Sequence, residues 1–152
     1  MKKNAKDIQK YIAEDFKPFL ALKHLHRAIN ETNTRYKWID ATIAAELAIK
    51  EFLIRYDPSI ETLLLEVPSP PLHKLYGPIL ENYTNERSPK LRELQKGVET
   101  RNKLVHRPQD IQITTEEANK YIHDVETAIY HLLHLLYLND HIIDTFYVPE
   151  KF

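Results

Sequence analysis

A chain of 152 residues is long enough to bury one core and too short for two full ones, and 43% hydrophobic with 28% charged residues is an ordinary globular composition. The absence of cysteine excludes disulfides, thiolate metal sites and cysteine nucleophiles, and makes a cytoplasmic protein the expectation. A net charge of −1 argues against a general polyanion binder, and no window approaches the roughly 18 apolar residues of a membrane span.

The first residues, MKKNAKDIQKYIAEDF, carry charge throughout and hold no apolar stretch of signal-peptide length. From Ala5 to Asn30 the apolar positions Ile8, Tyr11, Ile12, Phe16, Phe19, Leu20, Leu22 and Leu25 recur at helical spacing, with Pro18 expected to kink or split the helix. A second helix is predicted from a cap at Asn33 or Thr34 to about Tyr56, through Ile39, Ile43, Ala44, Leu47 and Phe52; Asp57-Pro58 ends it. Residues 58 to 87 read as a connector, with an apolar run at Leu63 to Leu65, the proline cluster VPSPP and one short helix around His73 to Tyr83. Ser88-Pro89 supplies a cap followed by proline at the first helical position, so a helix is expected from Pro89 to about His106, with Pro108 as its stop.

The last predicted helix opens on TTEE, where Thr114 and Glu117 match a capping box, and runs to about Leu138. Its apolar positions from Tyr121 to Leu138 cover more than one face, which calls for two partners, one of them a second subunit. Residues 139 to 152 look like a tail with Phe146, Tyr147 and Phe152 available to dock. Only two glycines, Gly77 and Gly97, are present, too few for the turns of a sheet protein. The expected architecture is therefore an all-α up-and-down bundle of four to five main helices with a Pro-rich connector: one domain over residues 1–140 and a tail over 141–152.

Charge is uneven along the chain. Between residues 88 and 107, Lys90, Arg92, Lys96, Arg101, Lys103 and Arg107 face only Glu93 and Glu99, whereas the stretch after 107 is acidic. A basic helix beside an acidic one reads equally as an RNA-facing surface, with Lys96, Lys103 and Arg107 as its contacts, or as two helices attracted to each other.

The stretch ETRNKLVHRP carries the chemistry. Arg101 and His106 are separated by four residues near a helix end, and Asn102 follows the arginine. This resembles the Rx4-6H signature of HEPN domains, and the element order over residues 5–138 is similar to theirs: two long helices, a variable connector, a motif helix and a closing helix. The resemblance implies a metal-independent endoribonuclease of a bacterial defence or toxin–antitoxin type, a homodimer with two motif copies in one RNA cleft, and an antitoxin or activating protein as a further partner. It also implies an acid opposite the motif arginine, for which Glu46 and Asp40 are the candidates; both also read as solvated helix positions. A non-catalytic HEPN-like module binding RNA, nucleotide or protein is the alternative. The tyrosine usual two residues after the histidine in one toxin branch is Pro108 here, which favours another branch.

In an ideal helix the five-residue offset separates Arg101 and His106 by about 140° and roughly 7.5 Å along the axis, so arginine's length must bring the groups together. Arginine offers planar donors matched to phosphate oxygens, histidine passes a proton near neutral pH, and Asn102 can orient either. An arginine and a histidine in any last helical turn also serve free carbonyls and the helix dipole. No cofactor or metal is expected: His123, His131, His134 and His141 come with no HExxH pattern or carboxylate pair, and the two glycines form no phosphate loop.

Overall fold

The computed structural model describes residues 19–66 and 68–137, and these form an all-helical bundle without strands. Helix α1 (Ala21–Asn30) starts where the Glu51 carboxylate accepts the N–H groups of Leu20 and Ala21, both at 2.8 Å. An acid from the next helix thus supplies the cap that the local sequence lacks. The expected stretch before Phe19, with its kink at Pro18, lies outside the described residues, as do the end of the closing helix at Leu138 and the tail.

Helix α2 (Thr34–Tyr56) is capped by Asn33, whose side chain accepts from the N–H groups of Arg35 and Tyr36 at 3.0 and 3.2 Å. It is the spine of the molecule. Ala41, Ala44, Ala45 and Ala48 are fully buried, and such small side chains let α1 and the closing helix approach closely. Ile49, Phe52 and Leu53 continue the core.

After the 3₁₀ turn Pro58–Ile60, the connector folds more than its sequence suggested. The run expected to be irregular forms α3 (Glu61–Glu66), which buries Leu64 and leaves Leu63 and Leu65 exposed. The short helix expected near His73 is α4 (Leu72–Lys74), a π turn over Leu75–Ile79 and α5 (Leu80–Thr84) in succession. Pro78 lies inside this stretch and removes a backbone donor, and Gly77 takes a non-helical conformation there. Tyr76 anchors the segment: its ring is fully buried and its hydroxyl donates to the Ala45 carbonyl at 2.6 Å.

Helix α6 (Leu91–His106) begins two residues later than expected, because Pro89-Lys90 forms a turn. Ser88 is buried, its N–H is tied back to the Tyr76 carbonyl at 2.9 Å, and its Oγ accepts the Lys90 N–H at 3.2 Å, so it caps the turn that leads into the helix. Helix α7 (Thr115–Leu136) has the expected capping box between Thr114 and Glu117.

Much of the broad apolar girth of α7 is met within the chain. Tyr121, Ile122, Val125, Ala128, Ile129, Leu132 and Leu133 are all buried, because α2 covers one side and α1 and α6 touch others. Tyr130, Leu135 and Leu136, which were part of the expected apolar girth, stay partly exposed, and Leu138 lies outside the described residues.

Candidate active site

Gly97 decides where α6 sits. A Cβ there would lie under 3.0 Å from the Tyr121 ring, so only glycine lets the helix rest on that ring. Tyr121 also stacks on Trp38 of α2, centroid to centroid 4.0 Å, and the Trp38 indole N–H donates to the Gly97 carbonyl at 2.8 Å. The Tyr121 hydroxyl shares a 2.7 Å bond with Thr42, and burial pushes its ionisation far above the usual phenol range, so it stays neutral. These contacts lock α2, α6 and α7 together one turn before Arg101.

Arg101 then reaches toward α2. Its Nη1 lies 3.3 Å from Glu46 Oε1, and its Nε donates to the Asn102 side-chain oxygen at 3.0 Å. Of the two acids considered, Glu46 is the one opposite the arginine. Asp40 is half-buried and makes no ion pair among the described residues. His106, the last residue of α6, is exposed and has no hydrogen-bond or ion-pair partner among the described residues. The chain thus brings Arg101, Asn102 and Glu46 together and leaves His106 beside them without contact.

Lys96, Lys103 and Arg107 are exposed. Lys96 and Lys103 border a shallow cleft of about 390 Å³ between α6 and α7, which also holds Glu93, Glu99, Glu117, Lys120 and Asp124, so its charge is mixed. Lys90 Nζ lies 3.1 Å from the buried carboxylate of Asp124, which also takes Lys120 at 3.0 Å. At that point the basic and acidic helices do attract each other.

A second cleft, about 380 Å³, opens between α2, the connector and α6. Arg101 and Glu46 line it together with Lys50, His73, Gln95 and Glu99, while Pro70, Pro71 and Val98 supply apolar wall. Its size falls within the range of small-molecule sites. Lys50, His73 and Gln95 were not singled out from the sequence. The one available signal was that Lys50 follows Glu46 by four residues and so shares its helix face; nothing local marks His73. Among the described residues no group of three or more His, Asp or Glu side chains is placed to hold a metal ion, and no helix is long and apolar enough to cross a membrane. No family model, curated protein or solved structure matches the chain.

Chemically, the arrangement offers a guanidinium at the edge of a polar cleft, a carboxylate and an amide that orient it, and an accessible imidazole on the same helix. The Arg101–Glu46 pair is partly open to water, with the two side chains 24% and 37% exposed. Such a pair contributes about 0–1 kcal/mol, so a phosphate with two acceptor oxygens can compete for the guanidinium.

Proposed function

We propose that this protein is a metal-independent endoribonuclease in which Arg101 binds the scissile phosphate and His106 transfers a proton. The observation that carries the reading is the placement of Arg101 at a cleft edge, oriented by Glu46 and Asn102, with an unengaged histidine five residues on. The ribose 2′-oxygen attacks phosphorus, the bond to the 5′-oxygen breaks, and Arg101 stabilises the charge gathering on the non-bridging oxygens. On the resemblance alone, the reading extends to a homodimer in a bacterial defence or toxin-type system, working in the cytoplasm with an antitoxin or activating partner. Lys96, Lys103 and Arg107 serve as added phosphate contacts, a role their exposure permits.

The test is cleavage of mixed RNA by the purified chain. Arg101→Ala and His106→Ala each lower the rate by about 10²-fold or more while circular dichroism stays unchanged. A variant that cuts as fast as the wild type removes the assignment.

One observation favours the second reading, a module that binds RNA or nucleotide without cutting. Both donor edges of Arg101 are already occupied, by Glu46 and by Asn102, as in a structural ion pair. RNA that binds and elutes intact, with affinity lost in Arg101→Ala, would select that reading.

A further inference from the structure

Drawing an ammonium away from water costs free energy unless a carboxylate, a carbonyl or another anion meets it. Among the described residues three lysines are drawn in from solvent: Lys37, Lys50 and Lys90. Two are met within the chain. Lys37 donates to the carbonyls of Ala28 and Ile29 at 3.2 and 2.9 Å, and Lys90 lies 3.1 Å from the Asp124 carboxylate. Lys50 is half-buried and makes no hydrogen bond or ion pair among the described residues.

The surroundings of Lys50 explain why. It follows Glu46 by four residues on α2, so the two share a helix face with Cβ atoms about 6 Å apart, the spacing at which a glutamate and a lysine ordinarily pair. The Glu46 carboxylate is turned to α6 instead, where Arg101 Nη1 lies 3.3 Å from it. Glu99, the other acid lining the cleft, forms no ion pair with Lys50. A cation without a counter-charge thus stands one helical turn from the partner of Arg101, in the same cleft of about 380 Å³.

The two clefts also divide the chain's cations. Lys96 and Lys103 border the one between α6 and α7, whereas among the described residues Lys50 and Arg101 are the lysine and arginine that line the other. A phosphate that enters beside Arg101 therefore meets its second cation from α2, not from the basic run of α6. The chemistry of the two side chains is complementary: the planar guanidinium fixes the orientation of the phosphate, and the ammonium adds a compact charge with rotatable donors on a flexible stem.

We infer that Lys50 is a second phosphate-binding residue of this cleft, contacting the RNA phosphate that Arg101 holds. This rests on the reading of the cleft as an RNA site.

The experiment measures how the full chain binds a 2′-O-methylated RNA oligonucleotide, which lacks the attacking hydroxyl and stays intact, as salt is raised. Wild type is compared with Lys50→Met, which keeps the apolar stem without the charge, with Lys50→Arg, and with Lys23→Met, a change at an exposed lysine of α1. Lys50→Met should bind about tenfold more weakly at low salt. Its slope of log affinity against log salt should be shallower by about 0.7, the loss of one phosphate contact on a single strand. Lys50→Arg should keep the wild-type slope, and Lys23→Met should match wild type. An unchanged slope in Lys50→Met, or a loss no larger than that of Lys23→Met, overturns the assignment. So does a loss that vanishes in a Glu46→Gln background, since Lys50 would then serve the carboxylate that Arg101 releases and not the RNA. Unmodified RNA separates this inference from the reading beneath it. A wild type that binds RNA without cutting it removes the ribonuclease reading and leaves the role of Lys50 to stand on its slope, whereas a wild type that binds neither RNA removes both.

Discussion

Replacing Gly97 with alanine tests how α6 is positioned. Alanine would ordinarily stabilise a mid-helix glycine site by about 1 kcal/mol. Here the new methyl would lie under 3.0 Å from the Tyr121 ring. That ring cannot retreat cheaply: it is only 3% exposed, is stacked on Trp38, and is tethered to Thr42 through its hydroxyl. Overpacking costs about 1–3 kcal/mol. Displacing α6 also weakens the Trp38–Gly97 hydrogen bond, about 1 kcal/mol, and the stacking, about 0.5–1.5 kcal/mol. Set against the helix gain, Gly97→Ala should destabilise the fold by about 2–3 kcal/mol, a melting point lower by roughly 5–12 °C for a domain of this size. Urea and thermal unfolding followed by circular dichroism measure it. In a Tyr121→Leu background the same substitution should cost little, since the obstructing ring is gone. A melting point for Gly97→Ala equal to or above that of wild type, or an equal cost in both backgrounds, would refute the reasoning.

RNA cleavage should persist in excess chelator and leave 2′,3′-cyclic phosphate and 5′-hydroxyl ends; loss in chelator restored by magnesium or zinc would rule out this mechanism. Thr114→Ala should cost about 1 kcal/mol in unfolding experiments by removing the capping box, while Thr114→Ser should be nearly neutral. Burial holds the His131 imidazole below its usual value of 6.5, with His134 acting in the same direction and Glu86, 3.7 Å away, opposing. The unfolded chain then takes up this proton first, so stability is highest above about pH 6.5 and falls as pH drops from there to the folded value. His131→Asn should flatten that part of a stability–pH curve; an unchanged slope would show that another group carries it.

The parts of the fold legible in the sequence are those set by local spacing. Periodic apolar residues located α2 and α7, the Ser88-Pro89 start signal and the Pro108 stop bracketed α6, Thr114-x-x-Glu117 located a cap to the residue, and Asp57-Pro58 marked a true end. What stayed hidden depends on contacts distant in sequence. The cap of α1 comes from Glu51, thirty residues on, and Ser88 caps a turn before α6 while the Tyr76 carbonyl takes its N–H. The π turn around Pro78 holds a proline inside a helical stretch, and no pattern of residue types announces it. The candidate site divides along the same line: Arg101, Asn102 and His106 lie within six residues and could be read together, whereas Lys50 and His73 join them only through the packing of α2 and the connector against α6.

The same division bears on assembly. A helix with apolar residues around much of its girth was read as needing a second subunit, because a sequence shows how much surface must be covered and not what covers it. The alanines of α2 supply part of that cover within the chain: with little bulk of their own at Ala41, Ala44, Ala45 and Ala48, they let α1 and α7 close around a single spine and bury the core side of α7. The apolar surface of α7 that stays partly exposed is at Tyr130, Leu135 and Leu136, and a second subunit would bury it there.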